Sequence, residues 1–177
     1  THNYFSYDQP LVELGFVFEY HFFGLNPRIY HLNNLLIHLL NSLLVFYLLL
    51  ALSRRRSVSV AFIGALLFGI HPLQVESVAW IAERKNLLYS LFFLASVISY
   101  LRYLENSRER SYYLSLLFFV ISVLAKPMAL ALPPVLFLLD YYRRRGFTIR
   151  TLLEKIPFFL LTNDGDLSRK LTHPSQN

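Results

Sequence analysis

Cysteine is absent from this 177-residue sequence, and methionine and tryptophan occur once each. Without thiols there is no disulfide scaffold and no cysteine-based metal or redox chemistry. Glycine and proline are scarce, at six and eight residues, which excludes a collagen-like repeat. Charge is thin: 11 Asp and Glu against 17 Lys and Arg, in a chain that is 55% hydrophobic. A disordered tail is excluded by the same apolar content. The sequence carries no Walker loop, no G-x-S-x-G, no H-E-x-x-H and no Rossmann glycine pattern, so soluble-enzyme motifs offer no starting point. It also has no internal repeat or low-complexity linker. The first residue is Thr1, and no basic segment, short apolar core and cleavage site follow it, so the chain is expected to be an internal fragment of a longer protein.

What is present is apolar length. Mean hydropathy is +0.41, and residues 29–52 run 24 positions without a formal charge, ample for the ~20 residues that cross ~30 Å of hydrocarbon. Residues 55–70 reach across if Arg54, Arg55 and Arg56 snorkel and the helix starts among them. Residues 87–104 form a third span, with Arg102 near its end. The tract 111–139 holds one charge, Lys126, and is too long for one crossing. A hairpin with arms 111–125 and 128–142 and its tip at Lys126-Pro127 keeps the flanking arginines on one side. A further apolar helix starts over 150–161, and 162–177 is a polar tail. The fold expected is all-α, a polytopic transmembrane helix bundle over 29–161 preceded by an aromatic external segment, 1–28, that lies along the interface.

These spans put ten arginines on one side, including Arg54, Arg55, Arg56, Arg108 and Arg110. Arg28, Arg84, Lys85 and Lys126 fall on the other. Basic loops mark the cytoplasmic side, so the net positive charge reflects topology and no nucleic-acid partner is expected. The external side then carries Asp8, Glu13, Glu19, Glu76 and Glu83, and any chemistry is expected there.

Three polar features interrupt the apolar pattern. His31, Asn34, His38 and Asn41 recur at i, i+3, i+7 and i+10, a stripe that must face protein or a wet cavity. His31 and His38 lie about 10 Å apart along the axis, too far to share one ion, so no metal site is expected; interhelical hydrogen bonding is the favoured reading over substrate contact. In HPLQVESVAWIAERKN, Pro72 suits a helix start, and Glu76, Trp80 and Arg84 would share a face of one continuous helix. The segment reads either as an interfacial anchor or as a polar wall, with His71 and Glu76 holding a hydroxyl and Arg84 and Lys85 neutralising a phosphate. Lys126 reads equally as a snorkelling lysine or as a phosphate ligand.

The runs GLNPRIYHLNNLLIHLLNSLL, HPLQVESVAWIAERKNLLYSLFFLASVISYLRYL and VLAKPMALALPPVLFLLDYY, covering most of residues 24–142, resemble the membrane part of the transmembrane and tetratricopeptide-repeat-containing proteins and their bacterial relatives. That resemblance implies part of a C-type glycosyltransferase membrane domain. Such an enzyme transfers a sugar, typically mannose, from a polyprenyl-phosphate donor to a protein Ser or Thr hydroxyl outside the cytoplasm. The implied partners are the lipid bilayer, the lipid-linked sugar and an acceptor protein. The implied location is a multi-pass site in the bacterial inner membrane, or in the endoplasmic reticulum of a eukaryote. His71, Pro72, Glu76 and Arg84 match the family's external motif and Lys126 its hairpin lysine. Arg84 and Lys126 are thereby assigned to the donor phosphate, and His71 and Glu76 to orienting roles. Asn86 stands where members often carry Asp. The resemblance places the catalytic acid before residue 1; Asp8 in YDQPL does not fit that role, no cofactor besides the donor is implied, and a need for divalent metal is left open. Two rivals stand beside this reading: a transporter or flippase module, suggested by the polar stripe and proline-broken helices, and a structural membrane anchor for a tetratricopeptide-repeat protein.

Overall fold

The computed structural model describes residues 9–53, 57–126, 131–146 and 148–163, and among them every regular element is helical. The elements are α1 (Pro10–Phe23), α2 (Pro27–Leu52), α3 (Val58–Ile70), α4 (Pro72–Ala79), a 3-10 turn (Ile81–Glu83), α5 (Arg84–Asn106), α6 (Glu109–Ala125), α7 (Leu132–Tyr142), α8 (Ile149–Leu153) and α9 (Ile156–Asn163). Arg54, Arg55, Arg56, Asp8, Pro127 and the tail from residue 164 lie outside the described residues. Two stretches, α2 and Ile81–Asn106, are long and apolar enough to cross a membrane; α3 and α4, bent by 55° at His71, make a third if the pair is one span. This is an all-α membrane protein.

Burial is inverted relative to a protein dissolved in water. On α2 the buried side chains are Tyr30, Asn34, His38 and Asn41, while Leu32, Leu36, Leu39 and Leu43 face outward. Hydrocarbon makes that arrangement stable, because an outward leucine costs nothing in lipid and a polar group must find its partner inside. Helix starts follow local chemistry: Pro27 fits the first turn of α2, and the Asn26 side chain accepts from the Arg28 backbone N–H at 3.2 Å. Ser107, with φ 51°, ends α5 in the left-handed region and turns the chain into α6. The α5–α6 hairpin is closed by small residues. Ser96 Oγ donates to the Ser115 carbonyl at 2.8 Å and Ser115 Oγ to the Ser96 carbonyl at 3.0 Å, so the backbones approach closely and the hydroxyls are satisfied.

A second polar knot ties α5 and α6 to α7, α8 and α9. Asp140 and Lys155 are fully buried together, and Tyr100 donates to Asp140 at 2.9 Å while Lys155 donates to both. Beside them Arg145 grips Glu154 through two nitrogens at 2.6 and 2.9 Å, Tyr103 donates to Glu154 at 2.9 Å, and Tyr112 donates to the Glu154 carbonyl. Burial alone would raise the Glu154 pKa, but the hydrogen bonds from Arg145 and Tyr103 outweigh it and hold the carboxyl below its ordinary value. Those same bonds raise Arg145.

A carboxyl with a lowered folded-state pKa contributes stability that is present above its unfolded pKa and lost as pH falls through the folded one. The thermal stability gap between the native chain and Glu154→Gln in detergent should therefore be widest near neutral pH and shrink below the ordinary Glu value of 4.5. A gap that stays constant on acidification would show that the Arg145 pair contributes nothing to it.

Candidate functional site

At the other end of α5 its first residue is buried. Arg84 is 2% exposed, and each of its three side-chain nitrogens has a partner. Nη1 pairs with Glu19 Oε1 at 2.6 Å, Nε donates to Asn34 Oδ1 at 2.8 Å, and Nη2 donates to the Tyr30 carbonyl at 3.0 Å. The guanidinium lies over the Phe16 ring, 4.5 Å from its centroid, a cation–π contact strengthened by desolvation. Glu19 also accepts from Asn33 Nδ2 at 2.8 Å, and its Oε2 is buried with no partner among the described residues. One guanidinium thus joins α1, α2 and the start of α5.

The chain leaves the helical path between α4 and α5. Trp80 is extended, with φ −93° and ψ 114°, which frees backbone carbonyls that a helix would have used. Asn34 Nδ2 approaches the Val78 and Trp80 carbonyls at 3.4 and 3.5 Å, and Glu83 N–H donates to the Trp80 carbonyl at 3.0 Å. This overturns the expected shared face of Glu76, Trp80 and Arg84: the helix is interrupted, Glu76 and Trp80 are exposed, and Arg84 turns inward. His71 is exposed and caps α4, its Nδ1 accepting from the Leu73 backbone N–H at 3.2 Å. Glu76 has no partner among the described residues.

Lys126 ends α6 and returns to the same junction, donating to Asn86 Oδ1 at 2.7 Å. Asn86 in turn donates to Glu83, which pairs with Lys85 at 3.4 Å. Formal charge therefore balances for Arg84 with Glu19 and for Lys85 with Glu83, while the Lys126 ammonium faces a neutral amide. Arg84 opens α5 and Lys126 bonds Asn86 two residues on; of the two, Lys126 has no carboxylate partner among the described residues. The Arg84 nitrogens are committed to Glu19, Asn34 and the Tyr30 carbonyl.

The α2 stripe is engaged within the bundle. Besides Asn34, His38 Nε2 lies 2.9 Å from the Gly69 carbonyl and Asn41 Nδ2 donates to the Leu87 carbonyl at 3.0 Å. His31 is exposed, because at about 100° per residue it sits roughly 60–80° around the helix from Asn34 and Asn41. Tyr30 takes the place on the buried face, and its hydroxyl donates to the Gly24 carbonyl at 2.9 Å. Phe16, Val17, Tyr20, Leu25, Tyr30 and Ile81 line an apolar groove of about 550 Å³ beside the Arg84 cluster, within the size range of ligand clefts. No group of three or more metal-ligating side chains occurs among the described residues.

Sequence reasoning did not single out Glu19. Its signal was a lone carboxylate among aromatics in VFEYHFF, a residue that cannot enter an apolar face without a cation.

The fold and site define a helical membrane protein with a charged cluster at one end of its bundle. No family model and no solved structure matches the chain. It is similar to a Drosophila melanogaster protein named Protein O-mannosyl-transferase Tmtc3, 39% identical over 117 residues, which are 56% of this chain and 13% of the relative. The human protein named Protein O-mannosyl-transferase TMTC1 is 36% identical over 98 residues, 55% of this chain and 11% of the relative. The human protein named Protein O-mannosyl-transferase TMTC4 is 31% identical over 134 residues, 69% of this chain and 18% of the relative. The resemblance to the transmembrane and tetratricopeptide-repeat-containing family is thus shown by named relatives over half of the chain or more. The chain spans less than a fifth of the length of each of these three.

Removing one partner of a buried pair strands the other charge, at about 3–5 kcal/mol. Arg84→Met is expected to cost that much in an unfolding titration in mixed micelles, and Glu19→Leu combined with Arg84→Met should recover part of the loss. Strictly additive single and double effects would mean that the pair is not coupled.

Proposed function

We propose that this chain is part of the membrane domain of a glycosyltransferase. It moves a sugar, typically mannose, from a polyprenyl-phosphate donor to a protein Ser or Thr hydroxyl on the non-cytoplasmic side. The naming of the relatives as O-mannosyl-transferases supports the reaction class. The observation that carries the reading to these residues is the uncompensated charge of Lys126, held by Asn86 beside a neutralised Arg84–Glu19 pair. Transfer from a lipid phosphate develops negative charge on the leaving group, and a fixed cation at that point stabilises it without reorganising. In this reading Lys126 contacts the donor phosphate and Arg84 is a positioning residue that fixes the α4–α5 junction. Exposed His71 and Glu76 orient the sugar or acceptor hydroxyls, and the general base comes from another part of the protein. The membrane is crossed several times, with the Arg84 end outside and the Arg102 end in the cytoplasm, as the arginine distribution requires.

The transporter rival relies on the α2 stripe lining a path. Three of its four members are bonded to other side chains or backbone within the bundle, which favours the transferase reading. A purely structural anchor would use Lys126 only as a snorkelling lysine, and its 2.7 Å bond to Asn86 holds the charge at the helix junction instead.

The test is a chimaera in which residues 24–142 replace the matching segment of a full-length relative, assayed in membranes for mannose transfer from polyprenyl-phosphate mannose to a Ser/Thr peptide. Lys126→Gln is expected to lower turnover on the order of a hundredfold, with Lys126→Arg retaining most of it. Normal expression with unchanged turnover in Lys126→Gln would remove Lys126 from the site, and an active parent with an inactive unmutated chimaera would overturn the assignment to this chain.

A further inference from the structure

A second cavity, of about 430 Å³, opens at the far end of α5, about 27 Å along the helix from Arg84. Its floor is apolar, with Leu50 of α2 and Ile98 and Leu101 of α5. Its rim is charged, with Arg102 and Glu105 of α5 and Arg143 just beyond α7. Arg143 is held in place: its Nη2 donates to the Ala51 carbonyl, one of the last carbonyls of α2, at 2.9 Å and to Glu105 Oε1 at 2.6 Å. Its Nε is buried and has no partner among the described residues. Arg102 is exposed and has no ion-pair partner among the described residues. Two guanidinium groups against one carboxylate leave the rim with one net positive charge.

We propose that this cavity binds the headgroup of an anionic glycerophospholipid from the surrounding leaflet. The phosphate accepts from Arg102 and meets the Arg143 guanidinium at the rim, and the acyl chains continue over Leu50 and Ile98 into the hydrocarbon. The chemistry selects this ligand in two ways: the surplus charge needs an anion, and the apolar floor needs a chain attached to it. Basic pockets between helices on the cytoplasmic side are a recurrent setting for such lipids, and this end of the bundle carries the arginine excess. The proposal requires the bundle to sit in a membrane and is independent of any sugar-transfer activity.

Native mass spectrometry of the detergent-purified chain provides the test, with dioleoyl phosphatidylglycerol, dioleoyl phosphatidylcholine and inorganic phosphate as probes. The phosphatidylglycerol adduct should be retained in preference to phosphatidylcholine, and inorganic phosphate should not compete with it. Arg102→Gln, at an exposed and unpartnered position, is expected to lower retention about fivefold with an unchanged melting temperature. Arg143→Lys keeps the charge but loses the planar guanidinium fork that suits a phosphate, and it should also lower retention. Arg110→Gln, outside the cavity, should leave retention unchanged. Equal retention of both lipids would overturn the proposal. So would displacement by inorganic phosphate, which would mark a site for free phosphate, or an equal loss in Arg110→Gln, which would mark diffuse attraction to a basic surface.

Discussion

A single buried guanidinium sets the geometry of one end of the bundle. Arg84 sits where water is excluded, so its charge is tolerable only with Glu19, Asn34, the Tyr30 carbonyl and the Phe16 ring all in place. Glu19 and Phe16 belong to α1, an element that otherwise has little reason to stay. α1 exposes Leu14, Phe18 and Phe22 and spans only about 21 Å, and its inward contacts include Glu19. The broken path through Trp80 is stabilised by Asn34, the residue that also receives Arg84 Nε. The ion pair therefore acts as a register device: it fixes which turn of α1 meets which turn of α2, and it holds the start of α5 against both.

The membrane setting explains why α2 reads inside out. In water, leucines would drive packing and asparagines would stay outside. In hydrocarbon, leucine gains nothing by burial between helices, so close packing falls to small residues and to polar side chains seeking partners. Ser96 with Ser115, Asn41 with the Leu87 carbonyl and His38 near the Gly69 carbonyl are the local expressions of that rule. At the opposite end the knot of Tyr100, Asp140 and Lys155 obeys it with full charges.

The helical class and the apolar stretch of α2 were legible because 24 residues without a charge admit few other structures. The α2 stripe was legible as a pattern, but its phase was off by one position: a period count from His31 weighs a histidine above a tyrosine, whereas the buried face is centred near Asn34 and Asn41 and admits Tyr30. The Arg84 environment was not legible. A regular helix through HPLQVESVAWIAERKN would put Arg84 on the same face as Glu76, two turns on, and nothing in that segment announces that Trp80 turns extended. The turn becomes favourable only because Asn34, 46 residues earlier in the chain, stands ready to meet the freed carbonyls. Local spacing carries no information about such a partner. The Asp140–Lys155 pair escaped for the same reason, although a lone acid in VLFLLD and a lone lysine in LLEKIPFF each required a counter-charge somewhere.

Charge compensation then separates structural cations from functional ones more sharply than burial does. Arg84, Arg145 and Lys155 each meet a carboxylate, and each pair is neutral as a unit. Lys126 meets an amide and Arg102 meets nothing among the described residues. Because a neutral pair exerts only a short-ranged field, an approaching anion responds chiefly to uncompensated charges, and two of these, Lys126 and Arg102, lie at opposite ends of α5. Aspartate at position 86 would pair Lys126 as Glu19 pairs Arg84. Asparagine keeps the lysine oriented by a 2.7 Å hydrogen bond while leaving its charge intact. The amide thus supplies position without neutralisation, which is the combination a cation needs if it is to act on a phosphate instead of holding two helices together.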